Sequence, residues 1–160
     1  MDKLTKLFIW LKMFLIKEVC LFAVGGFLYV LFEYVWRGYS HGTMFVVGGL
    51  CFIVIGLINE ILTEKMSLLT QSVIGACIVT VVEFISGYII NIVLKLNVWD
   101  YSDLPFNIMG QICLPYTLLW IIVSAIAIVV DDSLRWVYFN EPKVKYSILP
   151  NWMKLKKKTK

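Results

Sequence analysis

The sequence contains little charge for its length. Only 16% of its 160 residues are Asp, Glu, Lys or Arg, whereas 60% are hydrophobic. Soluble domains carry about 25% charged residues, and a soluble domain of this size has too small an interior to bury so many apolar side chains. The mean hydropathy of +0.82 agrees with this contrast. The composition therefore excludes a soluble domain and indicates a single integral membrane domain.

The sequence also lacks the residues that nucleotide, metal and redox sites need. It has no G-x-x-x-x-G-K-[ST] loop, His41 is its single histidine, and no two cysteines are spaced as C-x-x-C. The cysteines lie in or beside apolar stretches, which favours buried apolar roles: Cys20, Cys51, Cys77 and Cys113. We therefore expect no cofactor, no metal site and no catalytic group. Since no soluble surface remains to present a groove, we also expect no nucleic-acid partner.

Four apolar stretches are long enough to cross a bilayer, which requires about 20 residues. They cover residues 19–36, 43–60, 66–94 and 104–130. The third stretch holds one charged residue, Glu83, and the fourth holds none. Each stretch must be helical in lipid, because open sheet edges would leave backbone groups without hydrogen bonds. The sequence predicts an all-α integral membrane protein with a bundle of four transmembrane helices.

The first 18 residues have the pattern of an amphipathic helix. Apolar residues recur at helical spacing, opposite several lysines: Leu4, Leu7, Phe8, Leu11, Phe14 and Leu15. Such a helix can lie in the membrane interface. We predict an interfacial helix over residues 1–18, a transmembrane domain over 19–135 and a cytoplasmic polybasic tail over 136–160.

The distribution of positive charge predicts the orientation. With the N-terminus inside, the outer loops hold two of the fifteen Lys and Arg residues, Arg37 and Lys95. The inner segments hold the others, and eight of these lie from Arg135 onward. Short cytoplasmic segments are enriched in Lys and Arg. Both termini are therefore predicted to be cytoplasmic, and the tail is predicted to contact anionic lipid.

A weak internal repeat relates the two halves of the chain. Tyr39-Ser40 is followed by Gly48 and Cys51 at the same spacings at which Tyr101-Ser102 is followed by Gly110 and Cys113. The repeat would align helices 1 and 2 with helices 3 and 4. Both halves begin inside, so it would be a parallel repeat about an axis along the membrane normal.

Glu83 stands out because it lies in the middle of the third stretch. A carboxylate at the bilayer centre costs about 2.5–3.5 kcal/mol on insertion scales. Gly87 and Asn91 follow at four-residue intervals, so all three residues share one helical stripe. Two explanations remain open, a functional carboxylate or a structural hydrogen bond across the bundle.

Other polar residues fall toward the outer side in the predicted orientation. Glu33 and Arg37 lie one turn apart and can pair with each other. We expect Asn107 to cap helix 4, and we expect Pro115 within that helix to free the carbonyl of Gln111 for a ligand or a neighbouring side chain. We predict a polar funnel that opens outward with Glu83 at its floor. Its candidate solute-binding residues are Glu83, Asn91, Glu33, Arg37, Asp100, Tyr101, Asn107 and Gln111.

Four segments of the sequence are distinctive: Trp36-Arg-Gly-Tyr-Ser-His41, Met44-Phe-Val-Val-Gly-Gly-Leu-Cys51 with Gly56-Leu-Ile-Asn-Glu60, Glu83-x-x-x-Gly87-x-x-x-Asn91 and Val98-Trp-Asp-Tyr-Ser-Asp-Leu-Pro-Phe-Asn-Ile-Met-Gly-Gln-Ile-Cys-Leu114. Together they resemble a known bacterial membrane family, the CmpB-like "putative ABC-transporter type IV" proteins. The resemblance covers residues 20–136, and Trp-Asp-Tyr-Ser is its most specific part. It implies a permease subunit in the bacterial cytoplasmic membrane. Any ATPase that works with the chain would be a separate protein.

We therefore expect a transporter or permease subunit that binds a small polar or cationic solute. Four helices rarely enclose a transport path alone, so we expect a homo-oligomer or a membrane partner in the lipid bilayer. One alternative is a membrane-embedded enzyme that acts on a lipid-linked substrate. The other is a structural or regulatory protein whose polar residues serve helix association.

Overall fold

Four α-helices account for most of the chain. The computed structural model describes residues 2–61, 66–148 and 150. The helices are α1 Lys3–Arg37, α2 Gly42–Ile61, α3 Leu68–Gly87 and α4 Leu114–Phe139. Each is long and apolar enough to cross a membrane, and the described residues form no β-strand beyond one isolated bridge between Ile108 and Ile112. The predicted all-α membrane class with four candidate spans is confirmed.

Helix α1 is a single helix that includes the segment predicted to lie in the interface. Its first turn is capped by Asp2, whose carboxylate accepts a hydrogen bond from the Thr5 amide at 2.9 Å. It ends at Gly38, which has a φ of +79° and donates its N–H to the Tyr34 carbonyl. No break separates residues 3–18 from the remainder. The membrane depth of this first part stays a prediction.

The chain divides into two compact units, and the first spans Met1–Ile53. Glycine pairs on α1 and α2 accept aromatic side chains from the facing helix. A Cβ on Gly25 would lie 2.6 Å from Phe52 Cγ, and a Cβ on Gly49 would lie 2.7 Å from the Phe22 carbonyl oxygen. Gly26 and Gly48 face Phe45 and Tyr29 in the same way. The absence of a side chain at these glycines therefore lets α1 and α2 pack closely.

The second unit, Val54–Lys160, contains α3, α4 and the last two turns of α2. Helix α3 continues into a π-helical segment, Tyr88–Val93. Helices α3 and α4 approach closely at Gly75, where an added Cβ would lie 2.8 Å from Ser124 Cβ. The hydroxyl of Thr80 donates to that of Thr117 at 3.3 Å a turn further on.

The fourth helix begins later than the apolar stretch suggests. Residues 104–113 form a loop, and Pro115 lies in the first turn of α4, where its missing N–H costs nothing. The expectation that Pro115 lies well inside helix 4 and frees the carbonyl of Gln111 is therefore wrong, because Gln111 precedes the helix. Cys113 is the N-cap residue, so the expected capping of helix 4 by Asn107 is also wrong.

The positions that the internal repeat aligns do not share the same secondary structure. Gly48 lies inside α2, whereas Gly110 lies in a loop with a φ of +68°. The offset of 62 residues between Tyr39 and Tyr101 would place the start of α4 at residue 104, but it begins at Leu114. The additional residues form the folded loop described below.

The segment after α4 returns to the start of α3. We call residues 141–148 the C-terminal strap. The amides of Leu68 and Leu69 donate to the carbonyls of Ser147 and Ile148, at 2.8 and 3.3 Å. These bonds satisfy two amides that a helix start otherwise leaves without partners. The basic end of the predicted tail, residues 151–160, and Lys65 lie outside the described residues.

Candidate functional site

Glu83 is buried, and its carboxylate accepts two hydrogen bonds from neutral donors. The Tyr101 hydroxyl donates to Oε1 at 3.0 Å, and Trp120 Nε1 donates to Oε2 at 2.9 Å. Tyr101 belongs to the loop after α3, and Trp120 belongs to α4. Within the part of the chain that the structure describes, no cationic side chain forms an ion pair with Glu83. The described part of the site thus pairs the carboxylate with neutral donors and with no positive charge.

The predicted stripe on α3 is buried along its whole length. Glu83, Gly87 and Asn91 are all buried. Asn91 lies in the π-helical segment, donates to Gln111 Oε1 at 2.8 Å, and accepts from the Val98 amide at 2.7 Å. The prediction that Glu83, Gly87 and Asn91 share one face is confirmed, and this face packs against the loop.

Gly87 lets the loop approach the backbone of α3. A Cβ at this position would lie 2.6 Å from Gln111 Oε1 and 2.9 Å from Trp99 Cζ2. Trp99 donates its indole N–H to the Gln111 carbonyl at 3.0 Å. The Gln111 carbonyl was expected to bind either a ligand or a neighbouring side chain. It accepts its hydrogen bond from a side chain, that of Trp99.

The loop over residues 94–113 holds its own shape. The Tyr101 amide donates to the Gly110 carbonyl at 2.8 Å, and Asn107 Nδ2 donates to the carbonyls of Ser102 and Leu104, both at 2.9 Å. Gly110 has a positive φ, and a Cβ there would also lie 2.5 Å from Asp100 Oδ1. This internal order fixes the Tyr101 hydroxyl at Glu83.

Asp100 and Asn107 serve the loop itself. Asp100 Oδ1 accepts from the amide and the hydroxyl of Ser102, at 2.9 and 2.6 Å. These two donors hold the pKa of the Asp100 carboxyl below its usual range. Both residues had been candidates for contact with a solute, and their observed partners lie within the loop.

Glu33 and Arg37 form the expected pair at the end of α1. Arg37 donates to Glu33 Oε1, and the Ser40 hydroxyl donates to Oε2, both at 2.5 Å. The Arg37 guanidinium also lies over the Tyr39 ring, 4.7 Å from its centroid. This pair belongs to the first unit, whereas Glu83, Asn91, Tyr101 and Gln111 come together in the second.

A second polar cluster lies at the far end of α4, and the sequence reasoning missed it. Asp131 and Arg135 are 0% and 2% exposed and form an ion pair at 2.6 Å. The Asp131 carboxylate lies against Gly56, where a Cβ would be 2.7 Å from Oδ1. The sequence pattern places Arg135 among the cytoplasmic positive charges and gives Asp131 no role, yet both are among the most buried of the described side chains.

Asp132 connects this cluster to α2 and to the C-terminal strap. Its Oδ2 accepts from Asn59 Nδ2 at 2.5 Å and from the Tyr146 hydroxyl. Burial, followed by the neighbouring Asp132, raises the pKa of Tyr146, which therefore stays a hydrogen-bond donor. The available signal was the four-residue spacing of Asp131 and Arg135, which places opposite charges on one helical face.

The described residues contain no group of three or more His, Cys, Asp and Glu side chains suited to a metal ion. Of the cysteines in the described residues, Cys51 and Cys113 are buried, and Cys20 and Cys77 are exposed. The burial expected of all four therefore holds for two.

Of three comparisons with known proteins, one found a match. No curated protein and no solved structure matches the chain. A family model described as "Putative ABC-transporter type IV" matches residues 20–150, which extends the resemblance beyond α4 into the C-terminal strap. With its four apolar helices and a match over most of its length, the chain belongs to this ABC-transporter-type membrane family.

Proposed function

We propose that the chain is a permease subunit that binds a small polar or cationic solute at Glu83. The observation that carries this proposal is the buried carboxylate, which accepts hydrogen bonds, among the described residues, only from the neutral donors Tyr101 and Trp120. Keeping a carboxylate at mid-span costs about 2.5–3.5 kcal/mol. A solute cation or a proton bound there would neutralise it.

The loop over residues 94–113 supports a gating role. It contributes Tyr101 to the carboxylate and Gln111 to Asn91, so it covers the polar face of α3. A solute that reaches Glu83 must displace at least the Tyr101 hydroxyl. We propose that this loop opens and closes the site, and that a membrane partner, a second copy or a separate ATPase completes the transport path.

The proposed orientation places this loop outside the cell and the C-terminal strap inside. In a cysteine-free background, Asp103→Cys is expected to react with an impermeant thiol reagent added to intact cells. Lys145→Cys is expected to react only after the cells are opened. Both positions are exposed, so access to the reagent depends on the side of the membrane. Labelling of Lys145→Cys alone in intact cells would contradict the proposed orientation.

Currents from proteoliposomes on a solid-supported membrane test solute binding at Glu83. The panel contains Na⁺, K⁺, ammonium, choline and lysine, with glycerol as an uncharged control. Wild-type protein is expected to give a transient current with at least one cation, and Glu83→Gln is expected to give none. Equal currents from Glu83→Gln, or no current from wild type with any cation, would contradict the proposal.

A further inference from the structure

Two aromatic side chains, Tyr101 from the loop and Trp120 from α4, contact the Glu83 carboxylate, and Tyr116 of α4 stacks on Tyr101. The rings of Tyr101 and Tyr116 are stacked, with centroids 4.6 Å apart and planes at 19°. The hydroxyl of Tyr101 and the indole N–H of Trp120 reach the two carboxylate oxygens. One negative charge and three aromatic side chains therefore form a single cluster.

The cluster is built on one face of α4. Tyr116 and Trp120 are separated by four residues, which places them one above the other on a helix. Trp120 is 4% exposed and Tyr116 is partly buried. Tyr116 has no hydrogen bond to Glu83; its contribution to the cluster is the ring stacked on Tyr101.

This composition distinguishes between classes of cation. Hard divalent cations such as Mg²⁺ and Ca²⁺ take six or more oxygen ligands, several of them carboxylates. The described residues contain no group of three or more His, Cys, Asp and Glu side chains that could supply such a ligand set. A desolvated organic ammonium is instead attracted by ring faces, and a carboxylate supplies its counter-charge.

Given the function proposed above, on which this inference rests, we infer that the solute is a monovalent organic ammonium cation. Its charge pairs with Glu83, and its alkyl groups contact the rings of Tyr101, Tyr116 and Trp120. The residue that discriminates is Tyr116, because its ring belongs to the cluster while the carboxylate keeps both hydrogen bonds without it.

Calorimetric titration of the purified protein with tetraethylammonium, and separately with K⁺, tests the inference. Wild type is expected to bind tetraethylammonium more tightly than K⁺. Tyr116→Leu removes the ring face but keeps an apolar side chain, and it is expected to weaken tetraethylammonium binding about 3- to 30-fold. Tyr116→Phe keeps the ring and should bind as wild type does. Tyr138→Leu, at an exposed position of α4, is the matched control.

The outcomes separate the two proposals. Loss of all cation binding in Glu83→Gln with unchanged tetraethylammonium binding in Tyr116→Leu would overturn the organic cation and leave the carboxylate site standing. Binding of K⁺ or of protons alone by wild type would have the same meaning. Unchanged binding in Glu83→Gln would overturn both. A melting temperature for each variant shows whether it is folded.

Discussion

Replacing Arg135 with methionine is expected to lower the free energy of unfolding by about 3–5 kcal/mol, because it leaves the charge of Asp131 buried beside an apolar side chain. The two groups are 2% and 0% exposed and lie 2.6 Å apart. Denaturant titration of the purified protein in detergent, followed by circular dichroism, measures the loss. Most mutations cost less than 3 kcal/mol, so an effect of this size is diagnostic.

Two further variants control the Arg135 experiment. Adding Asp131→Asn to Arg135→Met removes the orphaned charge at almost constant volume and is expected to restore most of the lost stability. Lys145→Met removes an exposed cation from the C-terminal strap, and its effect is expected to stay within about 0.5 kcal/mol. Wild-type stability of Arg135→Met would show that the ion pair does not stabilise this end of the unit.

Glu83→Ala and Glu83→Gln are expected to differ sharply in stability. Alanine leaves the N–H of Trp120 and the hydroxyl of Tyr101 without their acceptor, at about 1–3 kcal/mol each. Glutamine preserves both contacts, since its oxygen can accept from Trp120 while its amide donates to Tyr101. A hydroxyl can reverse its role in this way, whereas an indole N–H cannot.

The comparison separates a binding carboxylate from a packing device. Glu83→Gln should melt near wild type while giving no cation-dependent current, and Glu83→Ala should lose both stability and current. Tyr101→Phe removes one donor and serves as an intermediate case. A Glu83→Gln protein that is both stable and fully active would show that Glu83 serves only as a structural hydrogen-bond acceptor between α3, the loop and α4.

The helices and the burial of Glu83 within one of them were predictable because lipid imposes simple rules on sequence. Length and hydropathy define spans, and a carboxylate within a span is costly enough to indicate a role. The stripe through Gly87 and Asn91 followed from helical geometry alone. The hydrogen-bond partners of Glu83 could not be predicted in this way, because Tyr101 and Trp120 lie 18 and 37 residues away in the chain.

The errors occurred where apolar residues form something other than a span. Residues 104–113 are apolar enough to extend a helix, but backbone and side-chain bonds around Gly110 and Asn107 make them a loop. Asp131 and Arg135 end an uncharged stretch and therefore resemble an interfacial margin. Asp131 packs against Gly56 of another helix, a contact that hydropathy cannot reveal.

Because the C-terminal strap binds the start of α3, this end of α3 can be completed only late in synthesis of the chain. The carbonyls of Ser147 and Ile148 that receive the first amides of α3 leave the ribosome only after α4 has been made. During insertion, the start of α3 must therefore rely on Ser67, whose hydroxyl accepts from the Thr70 amide at 3.1 Å, or on water. A chain that ends just after Phe139 would therefore carry all four apolar helices but leave the amides of Leu68 and Leu69 without these two acceptors.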